Sequence, residues 1–413
     1  MTDIFDKYGD IAVRHDQLLD AGADPFGVCL EEVYSPTEAM VNGRRTILAG
    51  TNNYLGITFD PACIEAAAQA IRKHGTGTTG SRIANGTYSN HRQLEDELAS
   101  FMNCRHALGF PTGYQANLGM LVGLAGPKDV MLIDADSHAS IYDGARLSGA
   151  TIVRFRHNDP ADLDRRLRRL EGEGKSHLVV VEGIYSMLGD RAPIAEFAEV
   201  KNKHGAYLLV DEAHSLGVLG DTGRGAAEAE GVADQVDFYV GTFSKSLGSV
   251  GGFGASNHPR FEVLRYCSRQ YMYTASSAPS NVASVITAIR QIRNDSTLRE
   301  RLWRNAEEVY QRLLAQGFKI CAPTSPIIAV QLPDIETAYY AWSRLLEAGV
   351  YVNLAVPPGT PHGESLLRCS VSAAHTEAQI NEICRRFEDI AQELASQMPV
   401  QEPAPVMMAQ AGD

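Results

Sequence analysis

The sequence is short of several things, and each shortage removes a class of protein. No stretch reaches the ~20 consecutive apolar residues that a membrane-spanning helix needs, and the opening "MTDIFDKYGD" is acidic where a secretory leader is basic and then apolar. Cysteine is sparse. Cys29, Cys63, Cys104, Cys267, Cys321, Cys369 and Cys384 are odd in number and lack CxxC spacing, so reduced thiols are expected rather than disulfides or a zinc site. Positive charge is in deficit: 37 basic against 50 acidic residues leave −13, a balance that repels nucleic acid and anionic lipid over most of the surface. The phosphate-loop spacing GxxxxGK[ST] is absent, and "GFGAS" leads into no dinucleotide fingerprint. The expectation is a cytoplasmic protein with no nucleic-acid partner and no metal, whose anionic ligands need a local pocket.

What is present is a chain of 413 residues, 44% hydrophobic, long enough for a large core and more than one domain. From about residue 58 helical periodicity, as in "PACIEAAAQAIRKH" and "HRQLEDELASFM", alternates with the apolar runs "VMLID", "HLVVVEG", "AYLLVDE" and "VDFYVGTFS". Continuous apolar strands between helices predict an α/β fold with a mostly parallel sheet covered on both faces. After a long helical stretch near 283–316 the rhythm turns to short strands ("IIAVQL", "LLRCSVS") and two helices, a smaller α+β domain. The expected divisions are an N-terminal helix and short strand over 1–57, a large domain over 58–292, a small domain over 293–398 and a disordered tail over 399–413. The run "DRRLRRLEGEGK" reads as a solvated helix face.

Three strand ends carry polar groups: His138 after "VMLID", Asp211 and His214 after "AYLLV", and Thr242, Ser244 and Lys245 in "GTFSKS". In a parallel sheet all three open on one edge, where ligands bind. Each alone has an ordinary reading, the aspartate as a helix cap, the histidine as a core residue, the lysine reaching solvent. Together they supply what pyridoxal phosphate requires. A lysine forms an imine with its aldehyde, a carboxylate such as Asp211 keeps the pyridine nitrogen protonated, and a flat side chain such as His138 covers one ring face. His214 can bond the phenolic oxygen. "TGYQANLG" supplies a glycine turn and a helix N-terminus for the phosphate, with the Thr242 and Ser244 hydroxyls nearby.

"DADSHASIYDG", "VDEAHSLGVLG", "GTFSKSLGSVGG" and "TGYQANLG" resemble the α-oxoamine synthases, fold-type I pyridoxal phosphate enzymes that join an amino acid to an acyl-CoA with loss of carbon dioxide. The likeness runs from about residue 40 to 395. "IYSMLGD", "VRFRHN" and "LLRCSVSAAHT" are most similar to bacterial members that use L-serine and a long-chain acyl-CoA; members using alanine or glycine share the chemistry. The resemblance implies Lys245, His138, Asp211 and His214 as catalytic residues. It adds Gly113, Tyr114, Ser186, Thr242, Ser244 and Thr274 as cofactor contacts, Thr274 from a partner subunit of a homodimer. Asn53 and Arg368, with His138, are implied to meet the amino-acid carboxylate. The chain departs from the pattern at Asn52, where a tyrosine is expected. An idle homologue would lack the lysine, and this chain keeps it. A lipid product implies peripheral contact with membranes, which the −13 charge makes weak.

Overall fold

The computed structural model describes residues 3–20, 24–172 and 174–397; the expected tail over 399–413 lies outside them. A helix over Gly9–Asp20 precedes three strands, β1 (Glu32–Ser35), β2 (Glu38–Val41) and β3 (Arg44–Leu48). They form an antiparallel meander. Asn42 and Gly43, both at positive φ, make the β2–β3 turn, because that pair matches the twist of a two-residue hairpin. One short strand was expected here. Three form because "EAMV" and "RRTIL" bury alternate residues, a period too brief to stand out in sequence.

The central sheet contains β4 (His106–Phe110), β5 (Val130–Asp134), β6 (Thr151–Phe155), β7 (His177–Glu182), β8 (Tyr207–Asp211), β9 (Phe238–Thr242) and β10 (Gly252–Ser256). Its order is β4-β10-β9-β8-β7-β5-β6. The five strands from β6 to β9 run parallel, and β10 is antiparallel to both neighbours. The link from β9 to β10 is too short for the crossover helix that a parallel partner requires. Side chains alternate between two cores: Val130 and Leu132 join one cluster, Met131 and Ile133 the other. Helices on both faces make this possible. One of them, Pro61–His74, starts where Asp60 Oδ1 accepts from the Ala62 and Cys63 N–H groups and Pro61 opens the first turn.

The expected long helical stretch is two helices, Pro279–Asn294 and Thr297–Ala315. Beyond it lie β11 (Lys319–Ile320), β12 (Ile327–Leu332), β13 (Val350–Tyr351), β14 (Asn353–Ala355) and β15 (Ser365–Ser370). Helices Ile335–Glu347 and Glu377–Gln397 close a core around Trp342 and Phe387, and Val41 and Ala49 sit in that same core. β13 pairs in parallel with β3. The N-terminal strands are therefore part of the small domain's core. Among the described residues no helix is long and apolar enough to cross a membrane, and the arginines of 165–168 lie in ion pairs with Asp162 and Asp164 on a helix surface.

Candidate active site

Because β5, β7, β8 and β9 run parallel, their carboxyl ends share one edge. His138 follows β5 and caps the helix Ala139–Ser148; Glu182 ends β7, Asp211 ends β8 and Thr242 ends β9. A cavity of about 330 Å³ opens there, lined by His138, Asp211, His214 and Lys245. Gly113, Tyr114, Thr242 and Ser244 line it as well. A Cβ on Gly113 would lie 2.7 Å from Thr242, and one on Gly252 would lie 2.7 Å from the Gly113 Cα. Only glycine lets the N-terminus of the helix Gly113–Leu124 press so close to β9 and β10. Its free N–H groups thereby share one corner with the Thr242 and Ser244 hydroxyls, 2.8 Å apart.

The floor of the cavity is buried and carries several charged groups. Asp211 is held by Asn117 Nδ2 at 2.7 Å and by the Ala213 N–H at 2.9 Å, which orients its carboxylate. Burial draws the Lys245 amine down to about 8 against the opposing pull of Asp211 and Glu182, so a useful fraction is neutral near physiological pH. Glu182 goes the other way: burial, then the charge of Asp211, raise it well above the usual carboxylate range. It accepts the backbone N–H of His138, and His138 Nδ1 sits 2.7 Å from Ser140 Oγ. His138, lowered by burial, is thus anchored through its backbone N–H and through its ring Nδ1. His214 is lowered well below its ordinary value by burial and by the charges of Lys245 and Arg368. Its Nδ1 meets the Tyr54 hydroxyl at 2.7 Å, and burial pushes that phenol up to about 12.

Arg368, on β15 of the small domain, forms a second pole. Its Nε donates to the Ser186 carbonyl at 2.6 Å, Nη1 to Ser370 Oγ at 2.8 Å and Nη2 to Asn52 Oδ1 at 3.1 Å. The same Asn52 oxygen is 3.2 Å from the Tyr54 hydroxyl. A chain of hydrogen bonds thus joins Arg368 to His214. Four of the residues singled out in the sequence do not line the cavity. Ser186 offers its carbonyl to Arg368. Asn53 turns its Nδ2 to Thr58 Oγ1 at 2.7 Å, leaving its oxygen buried and unpartnered. Thr274 meets Gln115 Nε2 at 3.5 Å. Arg368 stands behind its three anchors.

Glu182, Asn117 and Tyr54 are not singled out from the sequence, and Asn52 stands out there only as a departure from the expected tyrosine. Glu182 had a signal, an acidic residue ending an apolar strand just as Asp211 does. Asn117 lies one turn into "GYQANLG". Tyr54 has no signal, and that at Asn52 says nothing of its role, since Arg368 and His214 lie on other elements.

The residues present fit pyridoxal phosphate. A buried amine with a lowered pKa, an oriented carboxylate and a fixed imidazole meet in one cavity, and the glycine-permitted corner of N–H groups and hydroxyls suits a phosphate. The chain belongs to the aminotransferase class I and II family, whose model matches residues 45–387, and within it to the serine palmitoyltransferases. It is 55% identical over 387 residues to serine palmitoyltransferase of Caulobacter vibrioides, spanning 94% of this chain and 96% of that protein. It is 51% identical over 389 residues to serine palmitoyltransferase of Sphingomonas paucimobilis, spanning 94% and 92%. A high-resolution structure of SPT with a PLP internal aldimine superposes with a TM-score of 0.93 at 50% identity, covering 95% of this chain and all of that one.

Proposed function

We propose that the chain condenses L-serine with palmitoyl-CoA, releasing coenzyme A and carbon dioxide and giving 3-oxosphinganine, with pyridoxal phosphate as cofactor. The observation that carries the reading is the Lys245 amine, brought down to about 8 by burial in one cavity with Asp211 and His138. The likeness to serine palmitoyltransferases supports the choice of substrates.

When bound, the cofactor supplies an aldehyde that links to amines and an electron-poor ring that accepts electrons from a bond broken at the attached carbon. Lys245 would hold the aldehyde, Asp211 the ring nitrogen, His214 the phenolic oxygen and His138 a ring face. Gly113, Tyr114, Thr242 and Ser244 would hold the phosphate, with a partner subunit's threonine segment near it. The protein's own steps concern protons and orientation. Arg368 and His138 hold the serine carboxylate, with Asn53 beside them, and a planar guanidinium suits that task because it can bind both oxygens. The neutral Lys245 Nζ then takes the Cα proton, and the ammonium so formed is stabilised by Asp211. The Cα attacks the thioester carbonyl, the C–S bond breaks and coenzyme A leaves as the thiolate, which takes a proton from water. Only then does the Cα–carboxylate bond break to release carbon dioxide, and the Lys245 ammonium returns its proton to Cα. A fixed carboxylate decides which Cα bond stands ready to break, so Arg368 sets the order of proton loss and decarboxylation.

The reading includes a cytoplasmic homodimer. Val263, Tyr266 and Tyr273 are 56%, 75% and 68% exposed, apolar and aromatic side chains that a partner subunit would cover. Mass spectrometry of the product from serine and a mixture of acyl-CoA lengths tests the proposal. A dominant 3-oxosphinganine is expected. Turnover with alanine or glycine and none with serine would remove the substrate assignment.

A further inference from the structure

Beside the cavity floor lies a charged cluster that no role above uses. His157 follows β6; its Nδ1 lies 2.8 Å from Asp134 Oδ1, at the end of β5, and its Nε2 lies 2.7 Å from Asp190 Oδ2. Asp136 Oδ2 is 3.9 Å from Nδ1, and Tyr185 packs edge-on against the ring with centroids 4.5 Å apart. A neutral imidazole has one acceptor nitrogen, and a carboxylate has no proton to offer it, so two carboxylate partners require both ring protons. Burial alone would lower this histidine, but the hydrogen bonds and charges of Asp134 and Asp190 overcome it and push it up to about 10. With a folded value above the unfolded one, its stabilising effect is complete below about 6.5 and is lost as pH rises through about 10.

Asp190 is the hinge pin of a short loop. Its carbonyl accepts from the Tyr185 N–H at 2.9 Å, Ile184 bridges Arg191, and Asn158 Nδ2 donates to Asp190 Oδ2 at 2.7 Å and to the Arg191 carbonyl at 3.1 Å. The far side of the loop abuts the small domain, where a Cβ on Gly189 would lie 2.3 Å from the Ile327 carbonyl oxygen. The loop can retreat in neither direction. Its Ser186 carbonyl is the acceptor, at 2.6 Å, of the Arg368 Nε–H.

We propose that His157, clamped between Asp134 and Asp190, is a positioning residue for the amino-acid substrate: it fixes the loop whose Ser186 carbonyl aims Arg368. The proposal rests on the reading of Arg368 as the partner of the substrate carboxylate. Charge-assisted hydrogen bonds are about twice as strong as neutral ones, so a charged pair holds the loop where a neutral one would let it drift. A displacement of the carboxylate partner by about 1 Å is enough to harm alignment at the reacting carbon.

The test compares the holoenzyme with His157→Gln and Asp190→Asn, by spectral titration with pyridoxal phosphate and with L-serine and by steady-state kinetics. The KM for serine is expected to rise about ten-fold, the scale of one lost charge-assisted hydrogen bond, while cofactor affinity stays within about two-fold. The double variant should be no worse than the poorer single one, since both act through one contact. Two results overturn the proposal: a wild-type serine KM in both variants whatever happens to Tm, or equal loss of cofactor and serine affinity. If the unaltered enzyme answers to alanine or glycine and not to serine, the substrate assignment falls, and the same KM ratio taken with that amino acid decides the role of His157.

Discussion

Glu182, Asp211 and Thr242 reach the cavity from adjacent strands of one sheet, whereas Arg368 is held by Ser186 and Asn52, 182 and 316 positions away in the chain. The floor therefore inherits the rigidity of the sheet's hydrogen-bond ladder. The rim joins residues from distant parts of the chain. On the proposed reading the groups for the cofactor sit on the rigid part, and the guanidinium for the amino-acid carboxylate, a group common to serine, alanine and glycine, sits where the two parts meet.

The sharpest way to break the comparison is at the floor. Lys245→Ala removes both the link to the cofactor and the Cα base, and turnover should fall by more than ~1,000-fold with every amino acid tried. Normal turnover with loss of the visible absorbance would show that the amine is not the base. A smaller and more selective effect is expected at the rim. Arg368→Ala should raise the serine KM by about 100-fold, as for an ionic hydrogen-bonded contact, and leave cofactor affinity within about two-fold. Equal damage to both affinities would mean that rim and floor are one unit. The mildest test uses pH alone. Imine formation needs the neutral amine, so uptake of pyridoxal phosphate by the apo protein should quicken about ten-fold per pH unit below the Lys245 pKa and level off above about 8. A rate still climbing at pH 10 would mark the lysine as an ordinary, solvated one.

The same division decided what could be read in the sequence. "VMLID" and "AYLLVD" stand out because strands buried on both faces are continuously apolar, and a charged residue at the end of such a run is conspicuous. That logic found Asp211 and, applied evenly, would have found Glu182. β13 is a two-residue strand, too short for any periodicity, so the partnership of β3 with the far end of the chain left no trace. Asn52, a departure from the expected tyrosine, gave no sign that its oxygen would receive both the Arg368 guanidinium and the Tyr54 hydroxyl. His157 lies in "VRFRHN", where nothing in the run itself marks it. Its meaning depends on Asp190, 33 residues further on.

The pairing of β3 with β13 also bears on synthesis at the ribosome. Asn353, just past β13, donates from Nδ2 to the Gly50 carbonyl, 303 residues earlier. During translation β3 therefore presents an open edge to the crowded cell for most of the time the chain is being made, the geometry from which strands recruit foreign partners. Arg44 and Arg45, both exposed at the start of β3, lie just before the Ile47 and Leu48 positions that β13 pairs with, charged neighbours of the kind that discourage foreign pairing. The edge is sealed only after nearly the whole polypeptide has emerged.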